Sequence, residues 1–300
     1  MRVVAIFGPT AVGKTGAAVA LAELLRERGE DPVAISCDAI QVYRGLEILS
    51  GAAGAGERER LEHRLLGVAD LGEEFSAGRF AQLARQEVDE LLAQGRRPLV
   101  VGGTGLYLRV ALSDLELRPP VPEEVRREVE AEMAAEGPAA MHAKLDPEVA
   151  ATIHPNDRKR IARTLELQRA GLDPPRPHEQ GSRLWTASLR HPTLLVGLAA
   201  EPQDLDARID ARVDAMVDAG VLEEVAAAER AGASRTARAA IGFEQLLAGD
   251  VEETKRAQRA YARRQLTWMR RMEGVRTVDR GGRSDAEIAS EIASLLDGDR

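Results

Sequence analysis

Apolar positions in this chain follow two rhythms. Val3 to Phe7 is an unbroken apolar run, the pattern of a strand covered on both faces in a parallel sheet. From about Gly13 to Arg28 the spacing turns helical, with Ala, Leu and Glu supplying propensity and Gly29 a stop. A second short run, Val33 to Ser36, delivers Cys37 and Asp38 at its C-terminal end. Arg79 to Leu92 reads as an amphipathic helix, and Pro98 to Val101 as a third buried strand ending in Gly102-Gly103-Thr104-Gly105. Strand and helix alternate, which predicts an α/β domain built on a parallel sheet.

The pattern changes at about Arg118. Through Arg190 the chain is helix-prone and charged, punctuated by Pro119-Pro120, Pro122, Gly137-Pro138 and Pro174-Pro175, with no strand alternation. This predicts a helical domain inserted into the α/β domain. An apolar stretch, Leu194 to Leu198, then reads as a late core strand, and residues 203 to 270 are almost continuously helical in pattern. The expected organisation is a first part of the core over 1–117, a helical insertion over 118–190, and core completion with basic C-terminal helices over 191–300.

Composition narrows the class. Three hundred residues, 44% hydrophobic and 30% charged, suffice for one large core and a smaller inserted domain. No apolar run approaches the roughly 18 residues of a transmembrane helix, and the chain opens directly into a phosphate motif, so a cytoplasmic, membrane-free protein is expected. The single cysteine, Cys37, excludes an intrachain disulfide. A formal net charge of -8 argues against an indiscriminate nucleic-acid coat, but the charges segregate. Lys255 to Arg283 holds ten basic residues against two acidic ones, and His154 to Arg190 holds eight against four, while acids gather between Glu201 and Glu229. Such a chain can carry a polyanion on its basic side.

Gly8-Pro9-Thr10-Ala11-Val12-Gly13-Lys14-Thr15 fills every fixed position of G-x-x-x-x-G-K-[ST] between a predicted strand and a predicted helix. The fold class expected is therefore α/β, a P-loop NTPase-like parallel sheet flanked by helices. Backbone N–H groups and the positive helix end can cradle a diphosphate. Lys14 supplies a cation and Thr15 a hydroxyl for Mg²⁺. The loop serves ATP equally well, yet the third strand ends in Gly102-Gly103-Thr104 where hydrolases usually place an Asp for Mg²⁺. The strand-terminal carboxylate is Asp38, where open sheets bind ligands. It suits a base acting on an acceptor beside the phosphate, the alternative being a metal-shell carboxylate or a helix cap. The histidines 63, 142, 154, 178 and 191 show no metal-ligand spacing, so Mg²⁺ is the one metal implied.

Several segments together resemble one family, the tRNA dimethylallyltransferases (isopentenyltransferases): GPTAVGKT (8–15), ISCDAIQVYRGLEI (35–48), VGGTGLYL (101–108), HPNDRKRIARTLEL (154–167), LDARIDARVDAMVDAGVLEEV (205–225), AIGFEQLLAG (240–249) and RAYARRQLTWMRR (259–271). The resemblance spans nearly the whole chain. It implies transfer of a dimethylallyl group from dimethylallyl diphosphate to N6 of the adenine at position 37 in tRNAs reading codons that begin with U. The products are N6-(dimethylallyl)adenosine and diphosphate, and the protein is expected to be a monomer that engages the tRNA anticodon stem-loop.

That chemistry needs cations and N–H donors on a departing diphosphate with water kept away. Lys14, Mg²⁺ on Thr15, and an arginine, Arg208 or Arg212, are the candidates, since guanidinium binds phosphate oxygens bidentately; Arg208 is preferred. Asp38 fits the acceptance of a proton from the adenine amino group, a role the resemblance also assigns it. Thr104 is placed to hydrogen-bond the same amino group or a donor oxygen. The resemblance makes Asp38, Ala39, Ile40, Gln41 and Thr104 a tRNA-contacting set, joined by Arg126, Lys159, Arg160 and Arg163 from the insertion. Tyr261 and Trp268 among arginines suggest stacking on RNA, although core packing is preferred for Trp268. Three places depart from the family pattern: Ser50-Gly51-Ala52-Ala53-Gly54 lacks a lysine, Glu244 replaces a basic residue, and Ala39 replaces a serine. The competing readings are a small-molecule kinase, a prenyltransferase of free adenine nucleotides, and a non-catalytic nucleotide-dependent RNA-binding switch. The basic helix counts against the first, and the insertion and basic segments against the second.

Overall fold

The structure is a computed structural model that describes residues 1–115, 117–173 and 188–298. The chain divides into two compact units, Met1–Leu115 with Ala187–Arg300, and Glu116–Thr186. The larger unit is a six-stranded, all-parallel sheet flanked by helices. Its strands are β1 (Val3–Phe7), β2 (Pro32–Ser36), β3 (His63–Arg64), β4 (Arg97–Gly102), β5 (Thr193–Ala199) and β6 (Arg276–Asp279), in the order β3-β2-β4-β1-β5-β6. The helices used below are α1 (Lys14–Glu27), α2 (Glu47–Ser50), α3 (Ala77–Ala93), α4 (Gly105–Leu112), then α5 (Glu123–His142) and α6 (Arg158–Arg169) of the second unit, and α7 (Pro202–Asp218), α8 (Val221–Arg230), α9 (Val251–Arg271) and α10 (Asp285–Gly298) back in the first.

Continuous apolar runs become the central strands because both of their faces are covered. Every residue of β1 and of β2 is buried, and α1 lays Ala17, Ala18, Val19, Leu21, Ala22 and Leu25 into the same core. The apolar pattern does not predict the two outer strands. β3 is two half-buried residues, His63 and Arg64, and β6 buries only Val278 among exposed Arg276, Thr277 and Asp279. An edge strand pairs on one side and needs no apolar run to do so.

Register sets the site. Phe7 of β1 lies opposite Gly102 of β4, and Ser36 of β2 opposite Val101, so the loops leaving β1, β2 and β4 emerge side by side at the C-terminal edge. Closeness here requires a missing side chain: a Cβ on Gly102 would collide with the carbonyl oxygen of Cys37 and stand 2.8 Å from its Cβ.

In the second unit α5 packs on α6 through Val129, Met133, Met141, Leu145, Ile161 and Leu165. α5 is two helices merged across Gly137, whose φ of 80° precedes Pro138, matching the Gly-Pro break in the sequence. No strand occurs among the described residues of this unit. Pro174-Pro175 and His178 lie outside the described residues.

Gly102→Ala should cost about 2–3 kcal/mol of stability, because backbone rather than a movable side chain must give way. Urea unfolding should show a lower midpoint at unchanged slope. A midpoint equal to wild type would contradict the close packing of β2 on β4.

Candidate active site

The loop after β1 carries its conformation in two left-handed residues, Ala11 (φ 62°) and Gly13 (φ 95°). No side chain caps α1, which leaves its first-turn N–H groups as anion donors. Lys14 folds back to donate from Nζ to the carbonyl of Pro9 at 2.7 Å. A second cation comes from far along the chain. Arg212 of α7 donates from Nη1 to Thr10 Oγ1 and from Nη2 to the carbonyl of Ser50, each at 3.1 Å.

These two cations rest on neutral oxygens, and the field between them shows it. Burial, then the nearby Arg212 guanidinium, bring the Lys14 ammonium down to about 7, against an opposing pull from Asp38. Burial likewise lowers Arg212, again opposed by Asp38. Lys14, Arg212 and Asp38 therefore act on one another at the loop, while the Arg280 guanidinium lies against Gly13 paired with Asp285, a set that gains by admitting a polyanion.

Of the two candidate arginines, the preferred Arg208 and its alternative Arg212, the structure seats Arg212 on the loop. The two arginines are four residues apart on one face of α7, a rise of about 6 Å along the helix. The segment 50–51 is shaped around Arg212. Gly51 has φ 57°, and a Cβ there would collide with the Arg212 guanidinium, so the departure Ser50-Gly51 forms the carbonyl seat of that arginine.

Beside the loop, Asp38 follows β2 and accepts the N–H of Ile40 on Oδ1 at 2.9 Å, a turn typical of Asp. Ala39 N–H points to Thr104 Oγ1 at 3.4 Å. Thr104 stands at the N-cap of α4 without capping it; its hydroxyl meets the Tyr261 hydroxyl instead, and Tyr261 is raised to about 12 by burial and then by Asp38. Arg264 lies over the Tyr261 ring at 5.4 Å.

Gln41, expected to touch tRNA, has its amide engaged internally. Its Oε1 accepts from Ser36 Oγ at 2.7 Å, and its Nε2 reaches the carbonyls of Ser50 and Gly51 at 3.4 and 3.3 Å. It ties the Arg212 seat to β2. Gln265, which the sequence reading passed over, accepts the Thr10 N–H on Oε1 at 2.9 Å and donates from Nε2 to the Gly103 carbonyl at 2.8 Å. No local signal marks it, since both contacts are distant in sequence. Trp268 packs on Gly105 at the start of α4, consistent with the preference for packing over stacking.

The remaining candidates belong to the second unit. Lys159 and Arg160 are exposed on α6, Arg160 pairing with Asp157 at 3.4 Å. Arg163 is more committed, donating to Glu166 at 3.1 Å and to the Pro119 carbonyl at 2.7 Å, and Arg126 donates to Glu123 at 3.1 Å. In the larger unit Glu244 is explained by Arg238, which binds both of its oxygens at 3.0 and 3.1 Å. Burial pushes the Cys37 thiol up, making it an inert packing group. Among the described residues no group of three or more His, Cys, Asp or Glu could hold a metal ion, and no helix is long and apolar enough to cross a membrane.

Sheet, loop and cation pair define the class as a phosphate-loop α/β protein with a carboxylate beside its anion cradle. The particular family follows from comparison. Residues 41–272 match the IPP transferase family, and the chain belongs to that family. It is 40% identical to a tRNA dimethylallyltransferase of Thermobifida fusca (strain YX), over 90% of this chain and 87% of the relative. It is 42% identical to one of Anaeromyxobacter dehalogenans (strain 2CP-C), over 92% and 94%. The crystal structure of the full-length tRNA isopentenylpyrophosphate transferase from Bacillus halodurans superposes with a TM-score of 0.71 at 33% identity, covering 99% of this chain and 96% of that one.

Inorganic diphosphate should bind with uptake of about one proton at pH 8. Lys14, largely neutral above its pKa of about 7, regains its charge against the anion, and affinity should fall as pH rises through 7. Calorimetry in buffers of different ionisation enthalpy reads the proton count directly. Binding without uptake at pH 8 would mean that Lys14 is already charged.

Proposed function

We propose that this chain transfers the dimethylallyl group of dimethylallyl diphosphate to N6 of the adenine at position 37 of tRNA. The observation that carries the reading is the placement of two cations seated on neutral oxygens, Lys14 and Arg212, near the carboxylate of Asp38. The cations suit a departing diphosphate, and the carboxylate suits an amine acceptor.

In the reaction the bond between the allylic C1 and the diphosphate oxygen breaks, and N6 forms a new bond to C1. The electron pair leaves with diphosphate, where Lys14, Arg212 and the N–H groups of Gly13, Lys14 and Thr15 at the start of α1 neutralise it. The surplus proton on N6 passes to Asp38. Its fixed turn, through the Ile40 N–H, holds one oxygen in place as the acceptor arrives. Thr104, between Ala39 N–H and the Tyr261 hydroxyl, orients the amino group from the other side.

Thr15 fits Mg²⁺, since a hydroxyl beside diphosphate oxygens and water is the hard-oxygen set that this ion takes. When bound, the ion adds positive charge to the leaving group. For the tRNA, the exposed Lys159 and Arg160 supply backbone contacts together with Arg126 and Arg163, while Ala39 and Ile40 border the acceptor base. That base must leave its stack to reach Asp38.

Incubation with labelled dimethylallyl diphosphate and tRNA, AMP or ATP should add mass to tRNA alone. Phosphate release from ATP without prenyl transfer would replace this reading with a kinase. Within it, Asp38→Asn should lower kcat by about 10²–10⁴-fold while tRNA still binds. Arg212→Ala should lower kcat by about 10²–10³-fold, and Arg208→Ala should stay within about threefold of wild type. Steady-state kinetics that reverse the two arginines would restore Arg208 to the diphosphate.

A further inference from the structure

We infer that Gln265 is a positioning residue that fixes the donor loop and the acceptor turn to each other, and that prenyl transfer depends on this brace more than substrate binding does. The inference rests on the reading of the site as a prenyl-transfer centre.

Gln265 is 4% exposed and sits in the C-terminal half of α9. Its amide bridges two loops that leave adjacent strands: the phosphate loop after β1, through the Thr10 N–H, and the turn after β4, through the Gly103 carbonyl. Gly103 has no side chain because a Cβ there would strike Gln265 Nε2 and lie 3.1 Å from the Gly8 carbonyl oxygen. The three segments are therefore in direct contact, with the amide wedged between them.

What each loop carries gives the brace its consequence. Thr10 is the residue whose hydroxyl seats Arg212, so the donor cation moves with it. The residue after Gly103 is Thr104, which meets Ala39 N–H next to Asp38. The distance between leaving group and acceptor is thus set partly through one side chain. Displacement of about 1 Å between reacting groups can cost about a hundredfold in rate.

Chemistry restricts the position to an amide. The Thr10 N–H needs an acceptor and the Gly103 carbonyl needs a donor, on one side chain of this reach. A carboxylate satisfies the first and repels the second, and an aliphatic group leaves both buried partners unmatched. The neighbouring turns of α9 confirm the face: Tyr261 meets Thr104, Trp268 lies on Gly105 and Met269 on Gly197 of β5.

The test compares Gln265→Glu and Gln265→Leu with wild type in prenyl transfer to tRNA between pH 6 and 8.5. Gln265→Leu should lower kcat by about 10–100-fold at every pH, with KM for donor and tRNA within about threefold. Gln265→Glu should be as impaired at pH 8.5 but recover about tenfold relative to wild type toward pH 6, as its buried carboxyl protonates and can donate to Gly103. A purely structural role would not produce that acid rescue. Wild-type kcat in both variants, or a Gln265→Glu profile parallel to wild type, would overturn the inference. Gln265→Glu keeps the shape and the Thr10 bond, so it carries the test if the leucine variant does not fold. Should wild type fail to prenylate tRNA, the functional reading falls, and amide exchange decides the brace: protection at Thr10 and Ala39 should drop together in the glutamate variant at pH 8.5, whereas unchanged protection at both would sink it.

Discussion

In the proposed reaction a departing diphosphate needs cations that the protein has not already neutralised, and the groups on the phosphate loop meet that requirement. Most basic side chains here are committed to carboxylates: Arg238 to Glu229 and Glu244, Arg259 to Asp210, Lys255 to Asp214. Lys14 and Arg212 instead rest on carbonyl and hydroxyl oxygens. A neutral acceptor holds a cation in position but leaves its charge to act on a ligand. Asp38 is near enough to be felt by both, yet its Oδ1 is engaged by a backbone N–H. That separation lets a carboxylate and two cations stand together at one edge of the sheet without neutralising one another.

The fold builds this site from few elements. Three parallel strands end level, and their loops bring the anion cradle, Asp38 and Thr104 to one edge. Two helices from the C-terminal third then complete what the first hundred residues begin. α7 contributes Arg212, and α9 contributes Gln265 and Tyr261. Glu224 of α8 adds a more distant support, since its carboxylate accepts the N–H groups of Ile48 and Leu49 at 2.9 and 2.8 Å, and so holds α2, whose last residue Ser50 seats Arg212.

What could be read from the sequence follows from how local each feature is. The phosphate loop is eight contiguous residues between a strand and a helix, and Asp38 ends an apolar run, so both are legible without a structure. Arg212 was visible only as one of two arginines, because helical periodicity places residues four apart on the same face and does not say which turn meets a loop near residue 10. Gln41 was legible as part of the right loop but not as an internal tie, since its partners Ser36, Ser50 and Gly51 depend on how α2 returns to β2. β3 and β6 were missed for the opposite reason: edge strands need little burial and leave little pattern.

Gln265 was the least legible, and it shows why the basic C-terminal helix misleads as a sequence. RAYARRQLTWMRR reads as cations interleaved with aromatics, a surface for RNA, but its polar and aromatic residues at 261, 265 and 268 form an inward stripe at spacings of four and three. Their partners are backbone and hydroxyl groups of loops, which an apolar stripe could not satisfy. A helix whose buried face is partly polar is therefore expected wherever it must close over strand-end loops rather than over a sheet face. The arginines between those positions remain on the outer side, where Arg263, Arg264 and Arg270 are exposed. One helix thus fixes loop geometry on its inner face while presenting positive charge on its outer one, and the two duties are separated by helical phase alone.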